Sequence, residues 1–174
     1  RVALPRAAQL RDAGKRDVAP NAPGRVRPQA ADNADLRIAL AAEYDTLGDP
    51  AAAAGVMAEG PQDEDSYSVR AALLDKAGDK PALTALYDEL KRDAARPDPA
   101  RWMLLGQIAE SLERMDEALT WYRSVPGGEQ RWPARIRSDY VLHELKRGAE
   151  AYADLRAVQA DASADDDARR GAYL

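Results

Sequence analysis

The side chains that most often carry out catalysis are scarce in this chain. Among its 174 residues there is no cysteine, and His143 is the only histidine. A nucleophile–base pair or a histidine-based metal site needs a second group of this kind close by. The sequence also lacks a glycine-rich phosphate loop, an H-E-x-x-H motif and a G-x-S-x-G motif. We therefore predict no catalytic residue, no metal and no cofactor, and expect His143 on a helix.

One acidic stretch near the end of the chain has the spacing that opens a calcium loop. Asp161, Ser163 and Asp165 stand at alternate positions, as oxygen ligands do in such loops. The loop also requires a glycine at its sixth position and a glutamate at its twelfth, where this chain has Asp166 and Ala172. Helix capping is the better interpretation, with Ser163 as the cap and aspartates in the first turn.

Three tryptophans are the side chains best suited to contact a partner. Trp102 lies on an apolar helical stripe, so we expect it in the core. Trp121 is adjacent to a residue on such a stripe and therefore points about 100° away from it, which leaves it partly exposed. Trp132 precedes a predicted helix and could pack against its first turn.

The composition favours closely packed helices. Phenylalanine is absent, alanine is abundant and runs of β-branched residues are missing. No apolar run approaches the roughly 20 residues that a membrane-spanning helix needs. The chain begins at Arg1 and ends in a predicted helix, so we expect it to be part of a longer protein.

The net charge of −5 is unevenly distributed. Residues 1–31 carry seven basic and two acidic side chains, so the remainder carries −10. An acidic body argues against nucleic acid as the main ligand. The basic segment either forms a solvated linker or contacts a membrane surface or an acidic partner.

Caps, proline and glycine breaks and apolar periodicity divide the chain into short helices. Residues 3–13 are predicted to form a first helix, followed by a proline-rich connector to residue 33. The further predicted helices cover residues 35–47, 51–58, 64–77, 81–95, 133–146 and 149–159. Two more lie within residues 99–125, and another begins after Ser163.

The stretch from Arg101 to Val125 shows most clearly how such helices are paired. Two amphipathic patterns follow each other with a four-residue break. Gly106 lowers helix stability, so we expect it to make room for a partner helix. Ala118 is small enough for the two helices to cross closely, and Tyr122 fills the space further along. This predicts a helical hairpin.

The hairpin resembles a tetratricopeptide repeat through Trp102, the Leu105–Gly106 pair, Ala118 and Tyr122. The glycine usual at the turn is Glu113 in this chain. Similar turns recur near Gly48, Gly78 and Gly148, with a period of about 34 residues. We predict an all-α tetratricopeptide-repeat superhelix over residues 34–174, with about four repeats and the start of a fifth.

Residues 100–174 most closely resemble proteobacterial outer-membrane lipoproteins of the tetratricopeptide group. The similar segments are L-G-Q-I-A-E at 105–110, E-A-L-T-W-Y-R-S-V at 117–125 and P-A-R-I-R at 133–137. Members of that group are adaptors of a periplasmic carboxyl-terminal processing protease. The resemblance implies a non-catalytic scaffold on the periplasmic face of the outer membrane. Its only membrane anchor would be a lipid outside this fragment. A cytoplasmic location is the alternative.

In repeat arrays, the first helix of each repeat lines the binding groove. The residues that we predict to line it are Met103, Gln107, Glu110, Arg135, Asp139 and Leu142, with Trp121 as a contact on the outer face. Asp65, Ser68, Val69, Asp75, Lys76 and Lys146 are further groove candidates. The expected partner is a protein or peptide. The alternatives are a scaffold for another assembly or for self-association, or the arm of an enzyme whose catalytic domain lies outside the fragment.

Overall fold

The computed structural model describes residues 32–92, 94, 96 and 98–172. Within these residues the regular structure is entirely helical and contains no strand, which confirms the predicted all-α class. The nine helices of this part are α1 (Ala34–Thr46), α2 (Pro50–Met57), α3 (Glu64–Ala77), α4 (Lys80–Arg92), α5 (Pro99–Ser111), α6 (Met115–Ser124), α7 (Arg131–Glu144), α8 (Gly148–Ala160) and α9 (Asp166–Gly171). The predicted helix over residues 3–13, the proline-rich connector up to residue 31 and the basic residues in them lie outside the described residues.

Four tight turns of one geometry join α1 to α2, α3 to α4, α5 to α6 and α7 to α8. Each contains one residue in the left-handed region: Gly48 (φ 85°), Gly78 (φ 67°), Glu113 (φ 61°) and Lys146 (φ 59°). In each turn, the N–H of the left-handed residue donates to the carbonyl three residues before it. The N–H of the following residue donates to the carbonyl five residues before its own position. This pair of bonds is the Schellman motif, which satisfies carbonyls at the end of a helix.

The turn before α8 differs from the prediction. The sequence pattern places Gly148 at the turn, but it is the first residue of α8, and Lys146 takes the left-handed conformation. The left-handed positions are therefore spaced 30, 35 and 33 residues apart. Glycine adopts this conformation without steric cost, whereas Glu113 and Lys146 each accept roughly 1 kcal/mol of strain or more.

The chain divides into two compact units at the boundary between Ala82 and Leu83. In the first unit, α2 packs against both α1 and α3. Ala53 and Ala54 of α2 are buried, and their small side chains let neighbouring helices approach closely. Leu40 of α1 and Leu74 of α3 complete this core.

In the second unit, α5 packs against α6, α6 against α7, and α7 against α8. The predicted helix crossing is confirmed at Ala118, which is completely buried, and at Gly106, which lies directly against the ring of Tyr122. At the end of the unit, α9 packs against α7 and α8 through a small apolar cluster that includes Val158 and Ala168.

Two predictions about side chains in this unit are wrong. Trp102 is half-buried rather than a core residue, and its indole N–H donates to the carbonyl of Ala94 at 3.2 Å. Ser163 does not cap the last helix, because its hydroxyl donates to Asp161 Oδ1 at 2.6 Å. The cap of α9 is Asp165, whose carboxylate accepts the N–H of Ala168 at 2.7 Å.

Candidate functional site

The predicted groove residues of α5 are divided between its exterior and its core. Gln107 is exposed, as expected. Met103, in contrast, is buried, because it packs in the interior of the second unit. Glu110 keeps only 9% of its side-chain surface exposed and forms an ion pair with Arg137 of α7. The exposed surface that α5 offers to a partner is thus smaller than predicted.

The predicted groove residues of α7 do not lie on its exposed side. Leu142 and Asp139 are only 1% and 3% exposed, and Arg135 is half-buried beside α8. The exposed residues of α7 include Arg137 and Tyr140, with the guanidinium of Arg137 5.2 Å from the centre of the Tyr140 ring. The prediction that Asp139 and Leu142 are exposed is therefore wrong, because α7 is covered from more than one side by α6, α8 and α9.

Glu110 is the centre of a polar network that connects three helices of the second unit. Arg137 Nε donates to Glu110 Oε1 at 3.0 Å, and the buried Tyr122 hydroxyl donates to the same oxygen. Burial, together with the negative charge of Glu110, raises the pKa of Tyr122. These contacts give Glu110 a structural role in holding α5, α6 and α7 together.

Trp121 is half-buried, as predicted, and its polar atom is already bonded. Its indole N–H donates to the Tyr87 hydroxyl at 2.8 Å, and this hydroxyl donates to Glu117 Oε2 at 2.6 Å. Burial and the bond to Glu117 raise the pKa of Tyr87 to about 12. The Lys91 ammonium lies 5.1 Å from the centre of the Tyr87 ring. Trp121 therefore helps to attach α4 to α6.

In the first unit, α1 and α3 line a groove of about 340 Å³. Two large apolar side chains in this groove are exposed, Ile38 by 57% and Val69 by 42%. The predicted groove residues Asp65 and Val69 both line it, whereas Ser68 and Asp75 are exposed but do not. Two exposed apolar side chains that share one groove form a surface on which a peptide could pack.

Aspartates predominate among the charged residues that line this groove. Asp45, Asp63 and Asp65 are accompanied by one cation, Arg37, which is buried and donates to the carbonyl of Pro61 at 3.2 Å. Asp63 caps α3, and the bonds from the Ser66 N–H and hydroxyl lower its pKa. The predicted groove residue Lys76 forms an ion pair with Asp45 at 2.7 Å.

The second unit has a cleft of about 560 Å³ lined by α6, the loop after it, α7 and α8. Arg135 and Asp139, which were predicted for a groove on another side, both line it. Arg135 donates from Nε to Asp154 Oδ2 at 2.8 Å and from Nη2 to Oδ1 at 2.5 Å. Sequence analysis did not identify Asp154, because nothing in the local pattern indicates which helix will cover α7.

The described residues offer little support for other classes of site. No group of three or more His, Cys, Asp or Glu side chains among them is arranged to hold a metal ion. His143 is exposed near the end of α7. Within the same residues, every helix is too short or too polar to cross a membrane. Compared with protein families, with curated proteins and with solved structures, the chain matches none of them.

Proposed function

We propose that this chain is a non-catalytic scaffold that binds a protein or peptide partner. The observation that carries the proposal is the groove of the first unit, where Ile38 of α1 and Val69 of α3 remain exposed beside a surface rich in aspartate. A partner that covers these two side chains removes apolar surface from water, which favours association by about 25 cal/mol per Å².

The four equivalent turns support a repeat architecture of the tetratricopeptide type for this scaffold. Each turn reverses the chain between a longer helix and a shorter one, and the left-handed positions recur every 30 to 35 residues. A repeat of about 34 residues built as helix–turn–helix is the hallmark of that class. In such an array α1, α3, α5 and α7 are the first helices, and the groove between α1 and α3 is a ligand surface.

The side chains of the groove favour a partner segment that combines an apolar residue with basic ones. Ile38 and Val69 would cover the apolar residue, whereas Asp63 and Asp65 would attract the positive charges. Opposite charges across an interface mainly raise the association rate and the specificity, so we expect binding to weaken as salt increases.

The most specific form of the proposal is an adaptor of a periplasmic processing protease, located at the outer membrane. It rests on the resemblance of residues 100–174 to that group of lipoproteins. A scaffold for another assembly or for self-association, including one in the cytoplasm, is the alternative within the same class. The alternative from another functional class is that the chain forms the arm of an enzyme whose catalytic domain lies outside this sequence. A lipidation cysteine upstream in the full gene product would favour the adaptor, and a catalytic motif downstream would favour the enzyme arm.

The groove is tested with a double substitution, Ile38→Ser with Val69→Ser. Both side chains are largely exposed, so the free energy of unfolding should change by less than about 1 kcal/mol. A peptide array presents segments with an apolar residue between basic residues, together with the same segments carrying acidic residues instead. We expect the wild-type protein to retain the basic set selectively and the double variant to lose this retention.

Tyr152→Ser is the matched control, since Tyr152 is 62% exposed on α8, in the other unit. It removes a large exposed apolar side chain without touching the groove, and its retention of peptides should equal that of the wild type. Equal retention by the double variant and the wild type would refute the groove as the binding surface. Capture from a periplasmic extract with the same three proteins then identifies the natural partner.

A further inference from the structure

The groove between α1 and α3 begins close to the point where the described part of the chain begins. Asn33 caps α1, and Ala34, the first residue of this helix, lines the groove. Ile38 lies one turn further along the helix, about 6 Å from Ala34 at a rise of 1.5 Å per residue. The residues that precede α1 are therefore attached directly to one end of the groove.

The charged residues that line the groove leave it with a net negative charge. Asp45, Asp63 and Asp65 outnumber Arg37 three to one, which gives a net charge of −2. Asp45 is paired with Lys76, which does not line the groove, whereas Asp63 and Asp65 are exposed. Exposed carboxylates beside exposed apolar side chains suit a ligand that has cationic groups next to an apolar residue.

The chain itself contains a segment of this kind shortly before α1. Arg25, Val26 and Arg27 are the one place in residues 1–31 where an apolar residue has a basic residue on each side. Residues 20–31 contain these two arginines and no acidic side chain, so their charge of +2 is equal and opposite to that of the groove lining. The segment therefore matches the groove in both charge and apolar character.

The connection between this segment and the groove is long enough for the segment to reach it. Ala34 lies eight positions after Val26, and eight extended residues span at most about 28 Å. This length exceeds the distance from Ala34 to Ile38 several times and leaves four residues for a turn that reverses the chain. A ligand on such a short tether has an effective concentration in the millimolar range, so weak intrinsic binding is sufficient for occupancy.

We propose that the segment Arg25–Arg27 occupies the groove between α1 and α3 and competes there with the partner. Its apolar residue covers Ile38 and Val69, and its two guanidinium groups lie against the exposed carboxylates of Asp63 and Asp65. The proposal rests on the proposed function, because it takes this groove as the binding surface, and it adds that the chain itself limits access to the groove. A partner binds by displacing the segment.

The first test measures the competition in the full chain. Arg25→Ser with Arg27→Ser removes both cations of the segment, and Lys15→Ser with Arg16→Ser is the matched control, which removes the same charge from a basic pair. On the peptide array described above, the first variant should retain the basic set at least about threefold more strongly than the wild type, the factor for a segment that fills about two thirds of the grooves. The control should equal the wild type. Stronger retention by both variants alike would refute the assignment to Arg25–Arg27.

The second test observes the groove without any partner. The amide signals of Ile38 and Val69 in nuclear magnetic resonance spectra should differ between the wild type and the Arg25→Ser/Arg27→Ser variant. A synthetic peptide of residues 20–31, added to this variant, should move both signals towards their wild-type positions. The same peptide with both arginines replaced by serine should not. Identical signals in the wild type and the variant would overturn the proposal.

Two further comparisons identify the occupant and separate this proposal from the proposed function. The difference in the signals should persist on dilution, because the segment belongs to the same chain. A difference that disappears on dilution would assign the segment to the groove of a second copy and overturn the proposal. Equal retention of basic peptides by both proteins, with identical signals, refutes occupancy by the segment and leaves the proposed function intact. No retention by either protein, with signals that still differ, refutes the proposed function and supports occupancy by the segment.

Discussion

Gly106 and Tyr122 are in such close contact that no other residue fits at position 106. A Cβ atom built on Gly106 of α5 would lie 2.3 Å from Cε1 of Tyr122 and 2.7 Å from two further atoms of its ring. The ring is buried, and its hydroxyl is held by Glu110, so it has no space into which to move. The destabilising effect of glycine within a helix is thus offset by the burial of a complete tyrosine side chain.

Replacement of Gly106 by alanine should therefore destabilise the protein, although alanine is the better helix former. Overpacking of this kind costs typically about 1–3 kcal/mol. Thermal melts followed by circular dichroism measure the effect. Gly148→Ala is the control, because nothing lies within 4 Å of a Cβ at that position. A melting temperature of the Gly106→Ala variant equal to that of the wild type would show that Tyr122 does not fill this space.

The left-handed residues of two turns are open to stabilisation. Glu113→Gly and Lys146→Gly should each raise the free energy of unfolding by up to about 1 kcal/mol, because glycine relieves the strain of a positive φ. Gly78→Ala should have the opposite effect, since Gly78 has φ 67° in the equivalent turn. Urea unfolding of the three variants measures these changes. Stabilisation by Gly78→Ala would contradict the shared turn geometry.

Burial, together with the neighbouring charge of Asp154, raises the pKa of Asp139, and this predicts how stability depends on pH. In the unfolded chain an aspartate ionises near the model value of 3.8, whereas Asp139 in the folded protein ionises near pH 7. Between these values the unfolded state releases a proton that the folded state retains, so stability falls as pH rises from about 4 to 7. The slope from one group is at most about 1.4 kcal/mol per pH unit.

Asp139→Asn should flatten this decline. Asp154 does not produce the same decline, because its bonds with Arg135 lower its pKa. Its contribution to stability is complete above about pH 4 and is lost only as the pH falls below that value. Urea unfolding of the wild type and the variant at pH 5 and pH 7.5 measures the difference. If the wild type and the variant lose the same free energy of unfolding between pH 5 and pH 7.5, Asp139 does not titrate in this pH range.

His143→Ala tests the assignment as a non-catalytic scaffold. His143 is exposed, so the change should leave stability within about 0.5 kcal/mol of the wild type. It should also leave peptide binding unchanged, because His143 lines neither the groove nor the cleft. Assays with general peptidase and esterase substrates should give the same background rate for both proteins. A hydrolytic activity that disappears in the variant would overturn the scaffold proposal.

The local features of this fold could be read from the sequence because their causes are local. The caps Asp49 and Asp63, the prolines at helix starts and the glycines after helix ends determine most helix boundaries. Gly106 and Ala118 likewise indicated a close helix crossing, since a small residue on an apolar stripe leaves room for the backbone of a neighbouring helix. The positive φ at Lys146 was not predictable, because the packing of α7 against α8 imposes it on a residue that does not prefer it.

Which polar residues meet was decided only by the tertiary structure. A helical pattern gives the spacing of side chains around one helix, but not the number of neighbouring helices that cover it. Three helices pack against α7, and on it Asp139 is buried whereas Arg137 is exposed, although both residues are charged. The partner that raises the pKa of Asp139, Asp154, lies 15 positions further along the chain and reaches it only because α8 folds back onto α7. Charge pairing over such a distance follows from packing, which the one-dimensional pattern does not contain.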